Sequence, residues 1–169
     1  GDRYYVYRLT MGQHVQTGLV AAASVAAYDA DRIKKHEFTR PVKEDDRVRQ
    51  IDALDAQTGP VFLVYRATPS IDDLLIAVSR QTPVVDIHAA GQVRHEIWVV
   101  ADEGLIRLLS AAFEDLPALY VADGHHRSAA ASRVAAARKA AQAGYGDKEA
   151  YNYFLAVVFP HNQMKIMDY

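Results

Sequence analysis

VADGHHRSAAASR, residues 121–133, ends an apolar run that begins at Ala118 and starts an alanine-rich one. Between them stand an acid, a glycine, two histidines and an arginine. The pattern reads as strand, glycine turn and helix. Residues 118–122 form the strand and residues 126–143 the helix, with Gly144 as its C-cap. Such a junction has a chemistry of its own. The first N–H groups of a helix lack internal partners, and the helix dipole puts partial positive charge on them. A phosphate is therefore well placed there. Gly124 lets the backbone approach the anion. Arg127 adds a forked donor, His125 and His126 add ring N–H groups, and Ser128 shares the same first turn. Asp123 suits a magnesium ion, a substrate hydroxyl or amine, or the orientation of a histidine. A plainer reading makes Asp123 a helix N-cap and the rest a solvated turn. It explains the acid but not two histidines and an arginine behind a glycine. Adjacent helical histidines point about 100 degrees apart, so this pair is poorly disposed to share a metal.

Working upstream, residues 4–9 and 17–25 flank Met11-Gly12-Gln13 and predict a hairpin. Residues 28–42 are polar and non-periodic and read as a long loop. Within it, IKKHEFTRP (33–41) carries Lys35, His36, Glu37 and Arg40. A carboxylate in such a loop can act as a base, with the flanking cations on phosphates; a solvated charge run is the plain alternative. Residues 43–56 predict an amphipathic helix on Val48, Ile51, Ala53 and Leu54. Gly59-Pro60 stops it before a short buried strand at 61–65. Ser70 is the expected N-cap of a helix over 71–80. Residues 84–88 and 93–100 predict a hairpin on which His88 and His95 could face each other. Asp102 caps a helix over 103–114, which Pro117 ends. A last hairpin, 153–159 with 164–168, turns at Pro160-His161-Asn162. Trp98 reads as core or interface. Asp45, Asp46 and Arg47 sit in early helical turns, and Gly144-Tyr145-Gly146 is too slight for a phosphate loop.

These elements predict one α/β domain over residues 1–169, a mixed sheet with hairpins and flanking helices. The termini look cut, which suggests a piece of a longer protein; strand ends there would allow a homodimer. A net charge of −2 argues against nucleic-acid binding by bulk electrostatics. No apolar run reaches the roughly 18 residues of a membrane span. The absence of cysteine removes disulfides, zinc-thiolate sites and a cysteine nucleophile, and fits a cytoplasmic protein.

IKKHEFTRPVKEDDR (33–47) and ALYVADGHHRSAAA (118–131), with the TGPVFLVY strand (58–65) between them, resemble a bacterial and archaeal domain-of-unknown-function family marked by a DGHHR box. The box is also similar to that of the ParB/sulfiredoxin-like superfamily, which implies a phosphate-binding core of that type. Free-serine kinases of that superfamily carry a similar Asp-Gly-His-x-Arg box, matched by Asp123, Gly124, His125 and Arg127. They use an upstream glutamate as base, for which Glu37 is the counterpart. Sulfiredoxin chemistry needs a cysteine and is excluded. ParB proteins add a helix-turn-helix unit, of which the sequence shows no sign.

The resemblance implies a nucleotide-dependent phosphotransferase acting on a small hydroxylated metabolite, free serine among them. ATP or ADP with magnesium would lie at the box. Arg127 and His125 would neutralise the moving charge, Asp123 would hold magnesium or substrate, and Glu37 would take the hydroxyl proton. Two alternatives stay open. One is a non-catalytic nucleotide-binding regulatory module of ParB-like type. The other is a metal-dependent hydrolase using His125 and His126.

Overall fold

The computed structural model describes residues 3–141, 146 and 149–166. The protein is α/β, with a mixed eight-stranded sheet and flanking helices. The strands are β1 (Tyr4–Met11), β2 (His14–Ser24), β3 (Ile33–Lys34), β4 (Val61–Tyr65), β5 (Val85–Ala89), β6 (Val93–Val100), β7 (Leu119–Asp123) and β8 (Tyr153–Pro160). The helices are α1 (Val25–Asp29), α2 (Pro41–Leu54), α3 (Pro69–Ser79), α4 (Glu103–Glu114) and α5 (His125–Ala141). The strands bond in the order β3-β7-β4-β8-β2-β1-β6-β5. β3 and β7 run parallel, whereas β1 pairs antiparallel with β2 and β6, and β5 with β6. The chain forms two compact units, one from residues 1–21, 64–117 and 157–169, the other from 22–63 and 118–156.

The first unit follows the sequence closely. Gly12 adopts φ +59 in the turn between β1 and β2, a conformation glycine reaches without the strain a Cβ brings. Asp102 caps α4, its carboxylate accepting from the Leu105 N–H at 2.7 Å. Trp98 is buried as expected, and its indole N–H donates to the Gln81 carbonyl. Ile71, Leu75 and Leu109 are buried with it in the core.

Three expectations change here. α3 starts two residues earlier than Ser70 suggested. Thr68 is its N-cap and Pro69 occupies the first turn, where a missing N–H costs nothing and φ is already helical. His88 and His95 do not face each other. The register sets Ile87 opposite His95 and His88 opposite Arg94, so the two histidines lie on opposite faces of the strand pair. His95 instead bonds the Tyr7 hydroxyl at 2.6 Å and stacks on its ring. The closing hairpin is not formed within the described residues: after β8 the chain enters a short 3-10 turn at His161–Gln163, and residues 164–166 are not strand. The rest of that expected strand lies outside the described residues, as do Gly144, Tyr145 and residues 142–143.

The second unit departs further. The expected loop at 28–42 contains the end of α1, the two-residue strand β3 and the start of α2. Ser24 caps α1 through its hydroxyl. Arg32 gives its carbonyl to the Leu119 N–H, which registers β3 against β7. α2 is less amphipathic than its spacing implied. None of its residues is fully buried, and Ala53 and Leu54 are exposed. Val48 and Ile51 are half-buried, and ion pairs tie the helix to α5: Arg133 reaches Glu44 and Asp45, and Arg138 reaches Asp52 and Asp55. α5 buries a stripe of small residues, Ser128, Ala131 and Ala135 with Ala130 and Val134 beside them. Their size lets α1 and α2 approach its backbone.

Candidate functional site

Gly124 sets the geometry of the strand-to-helix corner. Its φ of +93 is outside the range that other residues adopt readily. Its carbonyl accepts from the Arg127 and Ser128 N–H groups at 2.9 and 3.0 Å. Gly124 is therefore the N-terminal cap of α5. The N–H groups of Gly124, His125 and His126 precede the first helical carbonyl that could accept from them. This corrects the plain reading of Asp123: its carboxylate does not cap the helix but accepts from Arg127 Nη2 at 2.7 Å.

The loop from residue 35 to 40 comes to this corner because it is fixed at both ends. Lys35 donates to the Tyr28 carbonyl and sits 4.2 Å from the centre of the Tyr28 ring. The Thr39 hydroxyl donates to Glu44. The Arg40 N–H donates to His126 Nε2 at 3.1 Å. Between these anchors, Glu37 Oε2 stands 3.5 Å from His125 Nδ1. The His36 ring meets His125 edge to face, with centroids 4.5 Å apart. A loop carboxylate and a helix histidine separated by 88 positions thus share one corner.

The electrostatics centre on His125, which is 5% exposed. Burial, reinforced by the neighbouring His36, holds its pKa below the ordinary histidine value; Glu37 and Asp123 oppose the shift without reversing it. Its Nε2 is buried without a hydrogen-bond partner. So is the Nε of Arg127. Orphaned buried polar groups are costly and uncommon, and each calls for a cause. With the His125 Nδ1 turned to the Glu37 carboxylate, a neutral ring leaves Nε2 as an acceptor, whereas the Arg127 Nε–H is a donor that an oxyanion would satisfy.

The remaining sequence candidates divide. Ser128 is wholly buried, and its hydroxyl bonds the Gly124 and His125 carbonyls, so it belongs to the interior of the helix and not to an exposed cradle. His126 uses Nε2 to accept from Arg40 and so anchors the loop; that nitrogen is not a donor toward a phosphate. Lys35 is turned to Tyr28. Arg40 contributes its backbone here, as the N-cap of α2. Arg127 is folded back on its own turn: a Cβ on Gly124 would lie 2.9 Å from its Nε and Nη2.

Tyr28, Thr58 and Gly59 were not among the site candidates that the sequence offered. Gly59 flanks the Arg127 stem, with 3.6 Å from a Cβ at that position to Arg127 Cδ. Its adjacency to Pro60 signalled only a turn. Among the described residues no group of three histidine, aspartate or glutamate side chains is disposed to hold a metal. Of the two histidines proposed as a metal pair, His125 turns Nδ1 to Glu37 and His126 gives Nε2 to the Arg40 N–H. Asp123 would offer magnesium one protein ligand, leaving phosphates and water to supply the others.

The chain matches, over residues 1–169, the family described as "Protein of unknown function (DUF1015)", and it belongs to that family. No curated protein and no solved structure matches it. No helix among the described residues is long and apolar enough to cross a membrane.

Proposed function

We propose that the DGHHR corner binds phosphate groups of a nucleotide and that the protein transfers a phosphoryl group to a small hydroxylated metabolite, within a core of ParB/sulfiredoxin-like type. The carrying observation is the meeting of Glu37 with His125 at the start of α5. A phosphate cradle alone needs no carboxylate, and a carboxylate beside an anion site is unfavourable unless it has a task. Taking a proton from a hydroxyl is such a task. In this reading Glu37 removes the acceptor's proton as its oxygen bonds to the terminal phosphorus. The bond from that phosphorus to the bridging oxygen breaks, and the shortened nucleotide leaves. The N–H groups ahead of α5 and the Arg127 guanidinium face the charge that develops. Magnesium, held through Asp123 and the phosphates, would neutralise part of that charge.

A regulatory nucleotide-binding module remains the second reading. The Asp123–Arg127 pair favours it, since the guanidinium is already satisfied at one end without any chemistry. Glu37→Gln separates the two. Turnover against a panel of hydroxylated acceptors should fall by at least about a hundredfold, with nucleotide affinity within about threefold of the unaltered protein. Equal turnover in Glu37→Gln would remove Glu37 as the base. No turnover with any acceptor, despite saturable nucleotide binding, would favour the module.

A further inference from the structure

Behind the box lies a cavity of about 210 Å³, formed within the second unit by the C-terminal half of α2, the turn at Thr58-Gly59 and the side of Arg127. Two guanidinium groups, Arg47 and Arg127, line it, with no acidic side chain among the described residues of the lining. The donors are arranged in series. Arg47 Nη1 donates to Gln50 Oε1 at 2.7 Å, and Gln50 Nε2 donates to Thr58 Oγ1 at 3.1 Å. The Thr58 oxygen is thereby an acceptor from Gln50, which leaves its own hydrogen to donate elsewhere. Across the cavity, Arg127 Nε is buried and unpartnered. Gly59 keeps the space beside the Arg127 stem clear of a side chain. The carboxylates that engage the two arginines, Asp46 at 3.7 Å and Asp123 at 2.7 Å, lie outside the lining.

We infer that this cavity is a second oxyanion seat, distinct from the first turn of α5, which takes a phosphate or carboxylate group through Arg47, Thr58 and the free N–H of Arg127. Planar guanidinium forks suit both groups, and the volume admits either. The inference rests on the box being an anion site, because Arg127 serves both places. It narrows the ligand to one with two anionic groups, or to two ligands that each bring one.

The test is a proton–nitrogen NMR titration of the whole chain with sodium phosphate and, separately, sodium acetate, at fixed ionic strength. Saturable shifts are expected at the Arg47 and Arg127 Nε–H, the Gln50 side-chain amide and the Thr58 amide. Response to phosphate alone assigns a phosphoryl group; response to acetate as well admits a carboxylate. Arg47→Gln should weaken that binding about tenfold to a hundredfold, and Arg47→Lys should recover part of it. Unchanged affinity in Arg47→Gln overturns the inference. So do shifts confined to the Gly124, His125 and His126 amides, which would leave the box as an anion site with no second seat. Shifts at the cavity without any at those amides would support the seat and count against the box. Silence at both overturns both.

Discussion

Gly124 carries more of the fold-to-site argument than any other residue. Its φ of +93 turns β7 into α5, and its carbonyl accepts the first hydrogen bonds of the helix. Gly124→Ala should destabilise the protein by about 1–3 kcal/mol and push the Arg127 guanidinium from its present seat, both readable in a urea titration and in the Arg127 Nε–H signal. His125 makes a second prediction. A native pKa below the ordinary value of 6.5 means that the unfolded chain binds the proton more tightly. The stability His125 contributes is therefore complete above about pH 6.5 and lost as pH falls toward its lowered native value. Urea unfolding at pH 7.5 and 5.5 should show a smaller loss in His125→Gln than in the unaltered protein. Equal losses would show that His125 is not the source. Glu37→Gln removes a favourable partner of the imidazolium, so the native His125 pKa should fall further by NMR titration.

At the scale of elements, α5 is built to be approached closely. Ala130 is fully buried and Ala131 and Ala135 nearly so. Ala130→Leu should cost about 1–3 kcal/mol by overpacking, visible as a lower urea midpoint. Gly18 in β2 is tighter still: a Cβ there would come within 2.3 Å of the Val158 carbonyl oxygen. Backbone cannot yield as a side-chain tip can, so Gly18→Ala should prevent normal pairing and sharply lower the melting temperature. The legible elements were those with local signals. Asp102, the Gly12 turn and the apolar run of β4 behind Gly59-Pro60 each place their own boundaries. α1 and β3 were not legible, because a five-residue helix and a two-residue strand have no period to detect. They exist because Ile33 and Tyr28 find buried places that only the tertiary fold provides. The burial of α2 was overread for a related reason. Its apolar spacing is real, but it leaves Val48 and Ile51 only half-buried, and ion pairs to α5 flank them.

For the molecule as a whole, the box itself was legible and its partners were not. Glycine between a strand pattern and a helix pattern is a local signal, whereas Glu37 reaches His125 across 88 positions through anchors at Tyr28, Glu44 and His126. No spacing rule encodes that path. Nor does spacing reveal that His126 Nε2 holds the Arg40 N–H or that Ser128 is buried in the helix. The net charge of −2 leaves any attraction of anions to local donors, not to the overall field. The central claim is thus local: the corner ahead of α5, with Arg127, binds nucleotide phosphate. Its most direct test is calorimetric titration of magnesium ATP and ADP into the intact protein and into Arg127→Ala. Saturable binding to the intact protein, weakened at least about tenfold by Arg127→Ala, is the predicted result. No heat of binding at millimolar nucleotide, or equal affinity in the two proteins, would contradict it.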